Sequence, residues 1–433
     1  MNRFVQTPIG ARILAGILTC GLLAGPAFTP AQAAGFLIRE NSAEAVAMTS
    51  AGAGSRATGP NTVFSNPAGM SHLSADGLEG GLVGILPSTT FSGGATLGGK
   101  PIAGNNGGDS GRAAVAPNFF GVMHPLPDIS VGIAITAPFG NSNEYDSQWS
   151  GRYLGTKTAA LSADINPAIA WKIDDTWSVG AGLSVQYMRL AVSSAIPQAV
   201  IFNAPVADGF LRFKASDWAV GFNLGVMADF GDTRVGLTYR SGVDHDIEGR
   251  LDFTGVSPLL GMVSGPAHAK ANLPSTTTLS VTTQLDPDLS LSADIQYTHW
   301  SVFKDVTIMS ANPPLANIEN YRDAWMLAVG GRYKLDDSWS LMAGVSLDQS
   351  PVTSRYRAVT LPDGDRFLIG VGAELRLNDA MTVQGAYAHA QPMAHPTMNV
   401  SVNNTDPITH AVVLNGKFDV NVELVALSFR YAM

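Results

Sequence analysis

Two short stretches of this chain carry the residue types of familiar chemical sites. Gly94-Ala-Thr-Leu-Gly-Gly99-Lys100 has the glycines and lysine of a phosphate-cradling loop. That chemistry also needs a Ser or Thr after the lysine and a helix beyond it. Pro101 takes the first place, and residues 101–112 are Gly- and Asn-rich with no helical period, so the stretch reads as a flexible loop. Gly108-Asp109-Ser110-Gly111 has the residues around a protease nucleophile, but no histidine with a matching local context accompanies it. The eight histidines are dispersed. His389 and His395, the closest pair, lie six apart across a strand end, with neither helical i,i+4 geometry nor a carboxylate partner to make a metal site. Cys20 is the only cysteine and lies near the N-terminus, and no acid–base pair has a rationale. The chain reads as a non-enzyme with no cofactor and no metal.

The elements around these decoys tell more. Arg3 and Arg12, the apolar run Ile13 to Leu23 and the small-residue site Ala31-Gln32-Ala33 form a secretory leader, residues 1–33. Cleavage after Ala33 removes Cys20, so the exported chain has no disulfide and no thiolate site. Net charge is −9 for the whole chain and −11 once the two leader arginines are gone, which argues against nucleic acid as a partner. Hydrophobic residues are 45% and charged residues 14%, yet nothing after the leader approaches the roughly 18 unbroken apolar residues of a membrane helix. An exported, apolar, Gly-rich chain of this kind fits a closed transmembrane β-barrel.

Alternation supports that reading. In Trp177-Ser-Val-Gly-Ala-Gly-Leu-Ser-Val-Gln-Tyr187 one parity is apolar and the other is Ser, Gly and Gln. The pattern recurs at 289–298, 339–348 and 367–376, with Trp177, Tyr187, Tyr297 and Trp339 at the ends as an interfacial girdle would have them. Short turns at Pro127-Asp128, Asp174-Asp175, Gly231-Asp232, Asp286-Pro287, Asp336-Asp337 and Asn378-Asp379 alternate with long Gly-, Pro- and Asn-rich loops. Six such hairpins, with one strand before and one after, predict an all-β antiparallel barrel of about fourteen strands over 76–433. Expected strands include 77–87 and 111–124, with loops at 88–110 and 392–412 among others. The last strand has Val425, Leu427, Phe429, Tyr431 and Met433 on one parity, the amphipathic signal that barrel assembly machinery recognises.

Residues 34–75 do not alternate. Asn41 followed by Glu44 suggests a helix cap, and composition leaves open a free arm or a plug inside the lumen. Lumen-parity residues mix Met188, Met342 and Leu368 with Asp294, Arg332, Glu374 and Arg430; this suits a greasy ligand, or packing against a plug. The strand Ile129–Thr136 runs into Ala137-Pro138-Phe139-Gly140. Proline cannot donate to a ladder, so either the strand ends there or its seam opens.

The start Ala34-Gly35-Phe36, then Asn66-Pro67-Ala68, Leu237-Thr-Tyr-Arg-Ser241, Tyr297-Thr-His-Trp-Ser301, Tyr321-Arg-Asp-Ala324 and Pro362-Asp-Gly-Asp-Arg-Phe367 occur in order along the chain. Together they resemble the FadL/TodX family of outer-membrane transporters. The resemblance implies a fourteen-stranded barrel in the outer membrane of a Gram-negative bacterium, with an N-terminal hatch (34–75) whose gating residues are Phe36, Asn66, Pro67 and Ala68. It implies a lateral opening in the third strand at Ala137, Pro138, Phe139 and Gly140. It also implies diffusive uptake of hydrophobic compounds, long-chain fatty acids first, by a monomer among outer-membrane lipids. Aromatic hydrocarbons by the same route, a general porin and a surface adhesin are the alternatives. Where fatty-acid carriers have a lumen Arg and Lys, this chain has Ser194 and Asn317, which leaves Arg189 and Arg322 as candidate carboxylate contacts.

Overall fold

Strict alternation in the sequence becomes a wall with two faces. In a computed structural model of the chain, which describes residues 35–400 and 412–433, successive residues of Trp339–Asp348 are exposed and buried in turn without exception. The leader, its cleavage site and Cys20 lie outside the described residues, as do residues 401–411.

The first seven membrane strands are β1 (Gly77–Leu97), β2 (Ala114–Leu126), β3 (Ile129–Thr136, continuing as Gly140–Glu144), β4 (Lys157–Lys172), β5 (Trp177–Ile196), β6 (Gly209–Asp229) and β7 (Thr233–Arg240, continuing as Val243–Thr254). The second seven are β8 (Gly265–Leu273, continuing as Thr276–Gln284), β9 (Leu289–Thr298), β10 (Ala324–Lys334), β11 (Trp339–Asp348), β12 (Arg366–Arg376), β13 (Met381–Pro392) and β14 (Val412–Ala432). Each pairs antiparallel with its neighbours. β1 closes on β14 in unbroken register from Gly77↔Ala432 to Leu97↔Val412, so the fourteen strands close into a cylinder. All six short turns read from the sequence connect strands as expected.

The outer face carries Leu82, Val220, Phe222, Leu224, Leu341, Ile369 and Leu427, all exposed as a lipid-facing band requires. Tyr187 and Trp218, with ring centroids 5.2 Å apart, and Tyr297 and Trp325, 4.9 Å apart, form part of one girdle. Trp171, Trp177 and Trp339 sit at the short-turn end and form the other.

β1 runs to Leu97, ten residues beyond the strand read from alternation. The supposed phosphate loop is therefore strand and tight turn, with Thr96 opposite Pro101. Above the membrane its inward residues have large partners: Phe91 packs against Trp149 and Phe418. Asp109, from the protease-like motif, accepts from the Thr89 N–H at 2.8 Å and the Gly111 N–H at 3.0 Å and so pins the loop. His389 and His395 do have carboxylates, Glu423 at 2.8 Å and Asp419 at 3.9 Å, contrary to the sequence reading. These are separate cross-strand pairs, and no group of three metal-ligating side chains occurs among the described residues.

Residues 35–76 lie inside the cylinder. Helix α1 (Ala43–Ala47) is capped by Ser42, which accepts from the Ala45 N–H, where the sequence suggested Asn41. Wall glycines admit it: a Cβ on Gly370 would stand 2.4 Å from the Val46 carbonyl, and one on Gly344 2.3 Å from that of Met48. Glu44, buried, faces Arg332 at 3.8 Å and accepts from the Thr58 hydroxyl. Glu374 and Glu79 then pair with Arg332 and Arg430, so inner-wall cations and acids compensate one another.

Candidate functional site

β3 is interrupted at the point where the sequence places Pro138. Its ladder with β4 reaches Thr136↔Asp164 and resumes at Gly140↔Leu161. Three residues of β3 thus face two of β4, a bulge. Ser162 holds it: its backbone N–H donates to the Phe139 carbonyl at 2.9 Å, and its hydroxyl accepts from the Phe139 N–H at 2.8 Å.

On the other flank the interruption is longer. β2 and β3 pair up to Phe119↔Ile135, and contact resumes only at the bridge Gly111↔Asn143. The plug occupies part of this space. Gly140 donates to the Phe36 carbonyl and Ile38 to the Pro138 carbonyl, both at 2.8 Å, with Leu37 bridged antiparallel to Phe139. The plug start thus takes the place of β2 beside β3. It uses the carbonyl of Pro138, the one ladder group a proline retains. At the unpaired lips, both amide atoms of buried Asn118, the Thr136 hydroxyl and the Asn141 side-chain oxygen lack hydrogen bonds.

The Phe36 side chain lies in an aromatic cage, its ring centroid 5.0 Å from Trp300, 5.3 Å from Phe303 and 5.7 Å from Phe139. Above it opens a cavity with about 1120 Å³ of atom-free space including its mouth. Met188, Leu190, Leu211, Ile308 and Leu315 make most of it apolar. Its roof is a hairpin, Asp305–Ser310 with Leu315–Ile318, in the long loop after β9. Below Phe36 lies a second space, about 930 Å³, lined by Arg39, Gln186, Asn223, Arg240, Asp294 and Gln296 among others. Leu37, Ile38, Phe64, Phe139 and Met326 also line it, so Phe36 stands between two chambers that each mix apolar and charged side chains.

The upper chamber has a polar spot that sequence reasoning missed. Glu319, at the end of the roof hairpin, is 4% exposed; the Asn317 side-chain amide donates to one oxygen, and the Tyr321 hydroxyl adjoins the carboxylate. Burial pushes this carboxyl up to about 7. Ser194 and Asn317 both line the chamber. Its one cation is Lys157, which is engaged by Glu144 at 2.8 Å.

Other residues singled out from the sequence fall elsewhere. Asn66, fully buried, accepts from the Ala68 N–H at 3.1 Å and donates to the Gly54 carbonyl at 2.6 Å. With Pro67 and Ala68 pressed against Gly180 it anchors the plug to the wall, and none of the three lines either chamber. Arg322 donates to the Ser350 carbonyl and pairs with Asp365 at 3.1 Å, bracing two loops. Arg189 points to the outside of the barrel. Trp300, Phe303 and Glu319 carry no periodic signal; only Trp300, inside Tyr297-Thr-His-Trp-Ser301, was marked at all.

The sequence matches the family model described as outer membrane protein transport protein (OMPP1/FadL/TodX) over residues 27–433. The chain belongs to this family. Among relatives, the long-chain fatty acid transport protein of Escherichia coli O157:H7 is 26% identical, covering 84% of this chain and 89% of its own. Outer membrane protein P1 of Haemophilus influenzae is 24% identical, covering 93% and 96%. A Pseudomonas aeruginosa FadL homologue superposes with a TM-score of 0.87 at 24% identity, covering 92% of this chain and all of that one. The Ralstonia pickettii toluene transporter TbuX superposes at 0.66 with 18% identity, covering 90% and 98%. As a member of the FadL/TodX family the chain is an outer-membrane channel for hydrophobic compounds and not an enzyme.

Proposed function

We propose that the protein takes up long-chain hydrophobic molecules by downhill diffusion and releases them sideways at β3. A ligand lands on the apolar loop tips 197–208 and 255–264, where Val200, Ile201 and Leu259 are exposed. It enters the upper chamber, and withdrawal of Phe36 lets it leave between β2 and β3. The observation that carries this reading is the interrupted seam with the plug start bonded into it. The charged side chains of the lower chamber support it. Apolar surface is worth about 0.8 kcal/mol per buried CH₂, so a hydrocarbon chain gains by entering lipid sideways and loses by descending among Arg39, Arg240 and Asp294.

Long-chain fatty acids are the first substrate reading, supported by what related proteins are named for. The chamber offers no free cation for a carboxylate and holds a buried acid, so the fatty acid enters in its protonated form. An aromatic hydrocarbon is the second reading, favoured by Ser194 and Asn317 at the chamber wall.

The test is uptake of oleate and of toluene by cells lacking the protein and by the same cells complemented. A Pro138→Val/Gly140→Val variant, which restores a ladder donor, should fold and lose uptake. Unchanged uptake in that variant would refute the lateral route. Steady conductance across a planar bilayer would favour a general porin, and uptake of neither compound would favour an adhesin.

A further inference from the structure

Arg189 has no place in the route above, and its surroundings point to a different ligand. Tyr187 and Trp218 face each other across β5 and β6 in the girdle that marks the loop-side membrane boundary. Continuing outward on the same face, Arg189 stands opposite Ser216, Ala191 opposite Lys214, and Ser193 opposite Arg212. On β4, Leu161 is opposite Arg189, Ala159 opposite Ala191, and Lys157 opposite Ser193. Each two-residue step is about 6.6 Å along the strand. The four cations therefore rise from just above the girdle through the level of the lipid head groups.

Between them runs an open groove of about 730 Å³, floored by Ala159, Ala191 and Ser193 and walled by Lys157, Arg189, Arg212 and Lys214. No acid lines it. The nearby acids are engaged or apart: Glu144 holds Lys157 at 2.8 Å, and Asp252, opposite Arg212, holds Arg250 at 2.7 Å. Glu248, opposite Ser216, lies two strands from Arg189. Among the described residues, Arg189, Arg212 and Lys214 have no acid within 4.0 Å. Three neighbouring charges of one sign, on a chain whose formal charge is −9, repel one another unless an anion sits among them.

We propose that this groove binds the phosphate of an outer-leaflet glycolipid. A lipid meets both halves of the surface, with its phosphate among the cations and its acyl chains on exposed Leu183, Val220 and Phe222 below. Arginine and lysine suit phosphate oxygens. A free small anion would use the groove and leave the apolar band unused.

The full chain in neutral-lipid nanodiscs, titrated with bisphosphorylated lipid A and read by native mass spectrometry, tests this. At about fivefold affinity per cation near an anionic head group, Arg189→Gln/Arg212→Gln/Lys214→Gln should weaken binding on the order of 100-fold. Lys270→Gln, on β8 and outside the groove, should leave binding unchanged. Lipid A stripped of phosphate should bind wild type as weakly as it binds the triple variant, and added salt should weaken only the phosphorylated form. Heat-modifiable migration on a gel checks that the triple variant is folded. Equal binding by the folded triple variant, or equal retention of the dephosphorylated lipid, would overturn the proposal. Displacement by equimolar inorganic phosphate would also overturn it, by assigning the groove to a small anion.

Discussion

Replacing Phe36 with Ala tests whether the plug start is a gate held by its cage. Phe36 is 6% exposed and touches Phe139, Trp300 and Phe303. Truncating a buried Phe costs about 3–5 kcal/mol. Two backbone bonds, Gly140 to Phe36 and Ile38 to Pro138, survive and contribute about 1 kcal/mol each. The bond from the Gly35 N–H to Asp363 at 2.9 Å also remains. The docked start should thus still be the major state, but with its detached fraction raised on the order of 150-fold for 3 kcal/mol lost. Hydrogen exchange followed by mass spectrometry reads this directly, because the Gly140 and Ile38 amides are protected only when the start is docked. Exchange across 36–40 and 138–142 should accelerate by about that factor, while the β1–β14 ladder stays as slow as before. Ligand uptake should rise with it. Unchanged exchange at both peptides would mean that the cage does not hold the start, and faster exchange without faster uptake would separate docking from transport.

Glu319 gives a pH dependence of definite sign. Burial raises its carboxyl from 4.5 to about 7, so the closed roof binds the proton more tightly than an open one. Closure is fully stable below 4.5 and loses on the order of 3 kcal/mol as pH rises to 7. Exchange in 303–321, corrected for intrinsic rate, should speed up between those limits, and Glu319→Gln should flatten the profile. Glu44→Gln removes the plug's own buried acid from beside Arg332, which keeps Glu374, and should weaken plug retention by about 1–3 kcal/mol, measured as protease access to 50–58 in folded barrels. Leu427→Arg on the lipid face should cost about 2–4 kcal/mol near the midplane, read by reversible denaturant titration in bilayers.

The wall was legible in the sequence because a strand's two faces meet solvents of opposite kind. Trp339 to Asp348 alternates without error, and each short turn carries Asp or Asn. Even the plug left a trace there. The glycines at 180, 344 and 370, small residues of the lumen parity, are where its backbone comes close. The chamber was not legible. Trp300, Phe303 and Glu319 belong to a loop ordered by ring packing and one buried carboxylate, neither of which has a period. Arg322 was a candidate only because it lies near the matched position Asn317; it braces Asp365, since nearness in the chain does not fix the direction of a side chain. Pro138 was readable as a break but not as an acceptor for Ile38, because nothing in the sequence links residues a hundred positions apart.

The unpaired stretch between β2 and β3 behaves as a crack arrested at both ends. Below it the ladder runs without a break from Phe119↔Ile135 to Met123↔Val131. Above it the Glu144 N–H bonds the Ser110 carbonyl at 2.9 Å, and Arg112 clasps the Glu144 carbonyl at 2.9 Å. Opposite, the β1–β14 closure is an unbroken hoop. Load on the lips is therefore carried around the ring instead of running to the rim. The stretch can flex without unzipping the cylinder, and its length along β3, fixed by these two stops, bounds the width of anything that passes.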